Sequence, residues 1–299
     1  MMTRCGSVRW VSFVALNLAL AAAFFQGGLA QAAAAGPEAG KTLIIRDEYG
    51  VPHLYAPTVE RGLYAMGYAQ AEDRLEELLK NYLRGLGEMA AAFGVSHLRD
   101  DVVCRMWDHY GMAQRNFERI DPTVRRHMEA FLAGIQDYLR DHPEQVPDWW
   151  GARRVDVYMQ IAYSRQFMWG WPLGQALSDL RAAGVEPDLQ VDLRSSNEWV
   201  VGPQRTSVGA PILLIDPHLS WWGAQRFWEF RVHAGTLHGS GFTLPGLMYI
   251  GLGHNDHLAW AMTTGGPDTA DIYELTLNPT NRLEYRYDGT WRKLSERAI

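Results

Sequence analysis

The strongest constraint on the fold is a change of pattern at residues 195–202. Upstream, apolar residues recur at intervals of three and four, which predicts helices. Downstream, short β-branched and aromatic runs are separated by Gly- and Pro-containing turns, which predicts strands. A helical region followed by strands indicates the α+β class. Ser196 opens the first of these strands, so it would become a chain terminus if the peptide bond before it were cut.

Size and charge limit the function classes. The 299 residues, 47% of them hydrophobic, are enough for a buried core in roughly one or two domains. The net charge of −6 is modest, and no Lys/Arg block is longer than a pair. Neither a nucleic-acid partner nor an anionic membrane surface is therefore predicted.

The first 32 residues are typical of a secretory signal. Arg4 and Arg9 precede the apolar run 10–25, and small residues at Ala30 and Ala32 supply a cleavage site. The alternative is a retained anchor, but a run of 16 residues is short against the roughly 20 that a membrane span needs. We therefore expect a periplasmic or secreted protein without a stable membrane anchor. Its mature form keeps one cysteine, Cys104, in an apolar stretch that predicts burial rather than reactivity.

Secondary structure follows from the same patterns. The sequence predicts two strands around a turn within 42–56 and helices at 59–83, 121–142 and 155–171. The second of these helices begins at Asp121-Pro122, a capping side chain followed by a proline suited to the first turn. Downstream, the predicted strands are 197–201, 212–215 and 227–233, with turns at 254–256 and 288–289.

Ser196 would be activated as a nucleophile only if it were a chain terminus. A serine hydroxyl needs a base, and the α-amine of an N-terminal serine, with a pKa of about 7.7–8.0, can supply one. A G-x-S-x-G nucleophile elbow is absent, because the run around Ser240 lacks the first and last glycine. From residue types alone, an interior serine before a strand is more often structural.

Two ordered sets of motifs resemble the penicillin acylase (penicillin amidase) family of N-terminal-nucleophile hydrolases. This family includes cephalosporin and acyl-homoserine-lactone acylases. The downstream set resembles the start of the β-chain of these enzymes, and the upstream set the start of their α-chain. The downstream motifs are Ser196-Asn197-x-Trp199-x-Val201-Gly202, Asp216-Pro217-His218-Leu219-Ser220-Trp221, Leu244-Pro245-Gly246-Leu247, Gly253-His254-Asn255, Leu258-Ala259-Trp260 and Thr263-Thr264-Gly265; the upstream ones are Arg46-Asp47-x-Tyr49-Gly50-Val51-Pro52-His53-Leu54 and Gly67-Tyr68-Ala69-Gln70-Ala71-Glu72-Asp73-Arg74-Leu75.

The resemblance implies a domain organisation. After a signal peptide at 1–32 it implies an α-chain-like helical region at 33–181 and a spacer at 182–195. Residues 196–299 then begin a β-chain of the αββα N-terminal-nucleophile fold. Because the family β-chain continues well beyond this point and supplies a distant oxyanion asparagine, we expect the chain to be truncated at its C-terminus.

The function implied is that of a self-processing amidohydrolase. The Ser196 Oγ attacks the Ser195 carbonyl, the chain is cut, and the new α- and β-chains stay together as partners. The free Ser196 then hydrolyses the amide bond of N-acyl small molecules such as β-lactam antibiotics or acyl-homoserine lactones. Relatives commonly have Gly before the nucleophile, so Ser195 leaves the cut uncertain by one residue. The alternative is a truncated, secreted binding remnant of the same family without catalysis.

The resemblance also assigns roles to individual residues. His218 would orient Ser196 or its amine, although a histidine satisfied at a strand end is the alternative. Thr264 would supply a backbone N–H to the oxyanion, and the amide of Asn197 would fix the strand terminus. We further expect three apolar residues to contact substrate: Leu219, Trp221 and Phe167.

No cofactor is expected to be required, but a structural calcium is an open alternative. Asp268, Ala270 and Asp271 match positions that bind calcium in the penicillin acylase branch. Calcium takes about six to eight oxygen ligands, and these residues supply few of them. Histidines also cluster around the predicted turn at 254–257 and at His233 and His238, where a solvated turn or surface is the more ordinary reading.

Overall fold

The computed structural model describes residues 40–189 and 195–299. The predicted signal peptide at 1–32 and residues 190–194 of the predicted spacer lie outside the described residues. Thr42–Ile299 form one compact unit. This unit mixes helices and sheet, as the sequence predicts.

Six α-helices precede Ser196 in the described chain. Those predicted at 59–83, 121–142 and 155–171 are present, and the third continues through Pro172 for eleven residues beyond its predicted end. Three shorter helices between residues 89 and 116 were not predicted. The helices are α1 (Val59–Leu86), α2 (Met89–Phe93), α3 (Leu98–Trp107), α4 (His109–Asn116), α5 (Pro122–Asp141) and α6 (Val157–Ala182).

The main sheet has six strands in the order β1-β2-β5-β6-β7-β8. Its first two strands precede Ser196 in the chain and the other four follow it, so both parts of the sequence build one sheet. Strands β2 and β5 are parallel, and the remaining neighbours are antiparallel. The strands are β1 (Leu43–Arg46), β2 (Pro52–Ala56), β5 (Trp228–Ala234), β6 (Leu237–Thr243), β7 (Leu252–His254) and β8 (Ala259–Trp260).

Two smaller sheets stand apart from it. Strands β3 (Ser196–Val201) and β4 (Ile212–Pro217) form a two-stranded antiparallel ribbon. The other is three-stranded and contains β9 (Leu277–Asn278), β10 (Asn281–Tyr287) and β11 (Thr290–Lys293). Its predicted turn is confirmed, with Asp288 and Gly289 at φ 47° and 74°, the left-handed pair that a tight hairpin uses.

Helix α1 lies at the centre of the fold. Its start is capped by the Thr58 side chain, which accepts a hydrogen bond from the Arg61 backbone at 3.3 Å. Its buried residues join one apolar cluster with the sheet and with α5 and α6. In β5, Trp228, Phe230 and Val232 are buried while the residues between them are more exposed, so α1 covers one face of the sheet.

Two glycines allow α1 and α5 to pack backbone to backbone. A Cβ placed on Gly134 would lie 2.0 Å from the Tyr64 carbonyl oxygen, and one on Gly67 would lie 1.9 Å from that of Phe131. Both distances are far below contact, and the neighbouring atoms belong to helical backbone, which yields little. No other residue fits at either position.

Buried polar side chains of α1 also hold the Leu244–Leu247 turn. The Gln70 amide accepts a hydrogen bond from the Gly246 N–H and donates one to the Leu247 carbonyl, both at 2.9 Å. Asn81 donates to the Pro245 carbonyl at 2.9 Å. Because the turn is buried, these bonds satisfy backbone groups that would otherwise lack partners.

Replacing Gly134 by Ala should destabilise the protein. Alanine favours a helix over glycine by about 1 kcal/mol, but overpacking of this kind costs about 1–3 kcal/mol or more. We expect a net drop in the free energy of unfolding, measured by denaturant titration. Ala133→Ser, at the adjacent exposed position, is the matched control and should change little. A G134A protein as stable as the wild type would contradict the backbone-to-backbone packing.

Gln70→Leu tests the polar contacts of the buried turn. It leaves the Gly246 N–H and the Leu247 carbonyl unpaired, at about 1–3 kcal/mol for each group. We expect the free energy of unfolding to fall by at least about 2 kcal/mol. Gln114→Leu, on an exposed helix surface, should stay within about 0.5 kcal/mol of wild type. Equal stabilities of the two variants would show that Gln70 does not hold the turn.

Candidate functional site

The register of the β3–β4 ribbon brings the backbones of Ser196, Asn197 and His218 to one end of the ribbon. Ser196 pairs with Pro217, and Asn197 lies directly opposite Asp216. One step beyond the paired region, the His218 N–H donates to the Ser195 carbonyl oxygen at 3.1 Å. Residues some twenty positions apart in sequence therefore meet at the end of one ribbon.

Asp216 organises the side chains at this end. Its Oδ2 lies 3.1 Å from His218 Nε2, and the Asn197 Nδ2 is 3.2 Å from the same ring nitrogen. An amide N–H and a ring N–H cannot bond each other, and the carboxylate is the acceptor available to both. The arrangement therefore fixes the tautomer of His218: the proton sits on Nε2, and Nδ1 carries the lone pair.

The charge of Asp216 is stabilised by these contacts. The hydrogen bond from His218 and, after it, that from Asn197 lower the pKa of the Asp216 carboxyl below its ordinary value. Asp216 thus stays ionised to a lower pH than a free aspartate. Both partners are about half exposed, with relative side-chain areas of 53% for Asp216 and 45% for His218.

A third segment reaches the start of β3. The Thr263 Oγ1 donates to the Ser196 carbonyl oxygen at 2.6 Å. Thr264, the predicted backbone donor, is the next residue along this segment, which has no regular secondary structure in the described chain. Its role as an oxyanion donor remains a prediction.

The predicted substrate contacts lie in two separate segments of the chain. Trp221 is 86% exposed, and Leu219 is partly buried just after β4. Phe167, on α6, packs against the core and against the Trp171 ring at 5.3 Å between centroids. Their contact with substrate remains a prediction.

A cavity of about 470 Å³ lies beside these residues, and Ser196 does not line it. Helix α6 and the segment after β4 form one wall, and helix α3 contributes to the other. His109, which is 2% exposed, contributes an Nδ1 without a hydrogen-bond partner, and burial lowers its pKa to about 4. This volume suits a small molecule. The side chains that line it include His97, Trp107, Gln166, Trp169, Leu173 and Trp222.

Cys104 is not a nucleophile in this structure. It is buried, it donates to the carbonyls of Arg84 and Gly85, and burial raises its pKa to about 12. The sequence-based prediction of a buried apolar cysteine is confirmed.

The residues predicted for calcium do not form a sufficient site by themselves. Asp268, Ala270 and Asp271 lie in the irregular segment before β9. Among residues 40–189 and 195–299, no group of three or more His, Cys, Asp or Glu side chains is arranged to hold a metal ion. Two carboxylates and one carbonyl fall short of the oxygen set that Ca²⁺ takes.

The sequence analysis did not identify two residues of the site. Asp216 and Thr263 were included only as parts of family motifs, and their contacts with His218 and Ser196 were not predicted. For Asp216 a signal existed, because pairing Asn197 opposite it follows once the two strands are taken as a hairpin. Thr263 comes from an irregular segment, which offers no such register.

Comparison with known proteins assigns the class and then the family. Residues 41–299 match the family model described as penicillin amidase. That family consists of acylases, amidohydrolases that act on amide bonds. The chain belongs to the penicillin amidase family, and the resemblance read from its motifs is confirmed.

Similar curated proteins are acyl-homoserine lactone acylases. PvdQ of Pseudomonas fluorescens is 29% identical over 86% of this chain and 37% of its own length. QuiP of Pseudomonas aeruginosa is 24% identical over 85% and 37%. The chain thus spans less than half the length of these relatives. A thermostable penicillin G acylase structure from Alcaligenes faecalis is 20% identical with a TM-score of 0.39, over 50% of this chain and 78% of that one.

No helix within the described residues is long and apolar enough to cross a membrane.

Removing His218 should raise the pKa of Asp216. The carboxyl loses its strongest stabilising partner, so in His218→Ala its titration should move back toward the ordinary aspartate value. Asn197→Ala should produce a smaller shift in the same direction. The measurement is a carboxyl-carbon NMR titration, with His257→Ala as the control that leaves Asp216 unchanged. An Asp216 titration that does not respond to loss of His218 would refute the assigned contact.

Proposed function

We propose that this chain provides the nucleophile region of a self-processing acylase. Family membership supports the reaction class, hydrolysis of an amide bond in an N-acyl compound. The similarity to acyl-homoserine lactone acylases favours acyl-homoserine lactones as substrates over β-lactams. The motifs at residues 1–32 support export of the precursor.

One contact supports self-cleavage before Ser196. The carbonyl of Ser195, which the Ser196 Oγ would attack, accepts a hydrogen bond from the His218 N–H at 3.1 Å. A backbone donor aimed at the scissile carbonyl stabilises the negative charge that develops on its oxygen, and such a donor is typically worth about 2.7–4 kcal/mol. This contact carries the proposal.

Cleavage would proceed by an N-to-O acyl shift. The Oγ–C bond forms at the Ser195 carbonyl, the C–N bond to Ser196 breaks, and the nitrogen takes up the hydroxyl proton. Water then hydrolyses the ester, which leaves a carboxylate on Ser195 and a free α-amine on Ser196. The α-amine, with an ordinary pKa of about 7.7–8.0, becomes the base for the hydroxyl beside it.

Hydrolysis of substrate repeats the chemistry on an external amide. The Ser196 Oγ attacks the acyl carbonyl, the amine leaves with a proton, and water releases the acid from the acyl-enzyme. His218 would act at the start of β3, where its backbone N–H meets the Ser195 carbonyl, and Asp216 holds its ring through Nε2. In this scheme Asp216 is a positioning residue.

Ser196→Ala tests both steps. Because the hydroxyl is the attacking group, the variant should remain uncut and should not release homoserine lactone from N-acyl-homoserine lactones. Intact mass and N-terminal sequencing of protein expressed from the complete reading frame measure the cut. Product release is followed by chromatography, with penicillin G as the second substrate. Ser207→Ala, in the exposed turn between β3 and β4, should process and react normally.

The outcomes separate the enzyme from the binding remnant. A new amino terminus at residue 196 together with turnover supports the acylase. Ligand binding by an uncut protein without turnover would favour the remnant, and a processed, active Ser196→Ala protein would remove the proposed nucleophile.

A further inference from the structure

Two histidines face each other across the β5–β6 hairpin, on the sheet face opposite α1. His233 and His238 are direct register partners. Their Nδ1 atoms are 3.4 Å apart, and both side chains are exposed. Neither residue belongs to the ribbon that carries Ser196, and the proposed reaction uses neither.

The hydrogen bonding of His238 fixes which of its nitrogens is free. Its Nε2 lies 3.0 Å from the Gly235 carbonyl oxygen, which can only accept, so Nε2 carries the proton. The Nδ1 of His238 therefore carries the lone pair, and it lies 3.4 Å from the Nδ1 of His233. An imidazole N–H held by a backbone carbonyl is the usual support of a metal-binding histidine.

The distance between the two nitrogens matches that between two ligands of one metal ion. Hydrogen bonds between N–H and its acceptor cluster near 2.7–3.2 Å, and 3.4 Å is beyond that range. Two nitrogens at about 2.0–2.1 Å from a tetrahedral ion are about 3.3–3.4 Å apart. The gap is therefore long for a hydrogen bond and suitable for two ligands of one ion.

The surroundings hold the His233 ring and leave it open to a ligand. The ring stacks on Tyr55 with centroids 5.1 Å apart and planes 16° from parallel.

We propose that His233 and His238 bind one divalent transition-metal ion of the type that takes imidazole nitrogen, such as Zn²⁺, Ni²⁺ or Cu²⁺. The ligands are the two Nδ1 atoms, and water completes the coordination. Within the part of the chain that the structure describes, no third side chain completes a metal cluster. Binding is therefore reversible and weaker than in a closed structural site, and the ion links β5 to β6 at the hairpin end.

The test uses tag-free protein from the complete reading frame, treated with chelator and titrated with ZnCl₂ by calorimetry. We expect one ion per chain. His233→Gln and His238→Gln should each weaken binding by at least about tenfold, because loss of a ligand costs no less than loss of its supporting partner. His257→Gln, in the exposed turn before β8, is the matched control and should bind as the wild type does.

Copper spectroscopy provides a readout that does not depend on affinity. Electron paramagnetic resonance of the Cu²⁺-loaded wild type should show coupling to two imidazole nitrogens, and either variant should show one fewer. Circular dichroism checks that each variant is folded, and one folded variant is sufficient. Absence of Zn²⁺ binding by the wild type, or unchanged binding in the folded variants, would overturn the site.

Discussion

The close packing of helix α1 is the constraint on which the rest of the structure depends. The helix approaches the sheet at Gly62, where an added Cβ would lie 2.3 Å from the Ala234 Cβ, and it approaches α5 at Gly67. Gln70 and Asn81 then use hydrogen bonds where apolar packing cannot satisfy a buried turn. Elements from both sides of Ser196 thus share one core, organised by a single helix.

The geometry around Ser196 depends on a different and weaker constraint, the register of a two-stranded ribbon. Side chains alternate between faces, so a slip of one residue would move Asp216 away from Asn197 and break the Ser195–His218 contact. The ribbon lies outside the six-stranded sheet, and most of its side chains are exposed. The Thr263 side chain connects the start of β3 to another segment through its hydrogen bond to the Ser196 carbonyl.

Local signals in the sequence were sufficient for much of the fold. The cap at Asp121, the alternation in β5 and the Asp288-Gly289 turn are encoded within a few residues, and the structure confirms each of them. The short helices between residues 89 and 116 were missed because they are held by contacts from distant residues. The Asp101 carboxylate, for example, accepts hydrogen bonds from the backbone of Met89 and Ala90 and so starts α2 from another helix.

The part of the site that lies in the family motifs could be predicted from the sequence. Ser196 and His218 came from the family resemblance, whereas the tautomer of His218 and the part played by Asp216 required a register. Helix α6 was underestimated instead: the predicted range ends at residue 171, but the helix continues through Pro172 to Ala182. Proline costs a helix about 3 kcal/mol, and packing of buried residues on both sides of it, such as Tyr163 and Leu177, can outweigh that cost.

The exposure of Asp216 and His218 limits what their pairing can contribute as the structure stands. Charges in contact with water interact weakly, so this carboxylate orients the imidazole more than it strengthens it as a base. Any group that covered the end of the ribbon, such as an acyl chain lying against Trp221, would remove water from the same contacts and make them stronger. In the proposed chemistry, binding of an apolar acyl group would therefore itself place Asp216 and His218 in a low-dielectric setting.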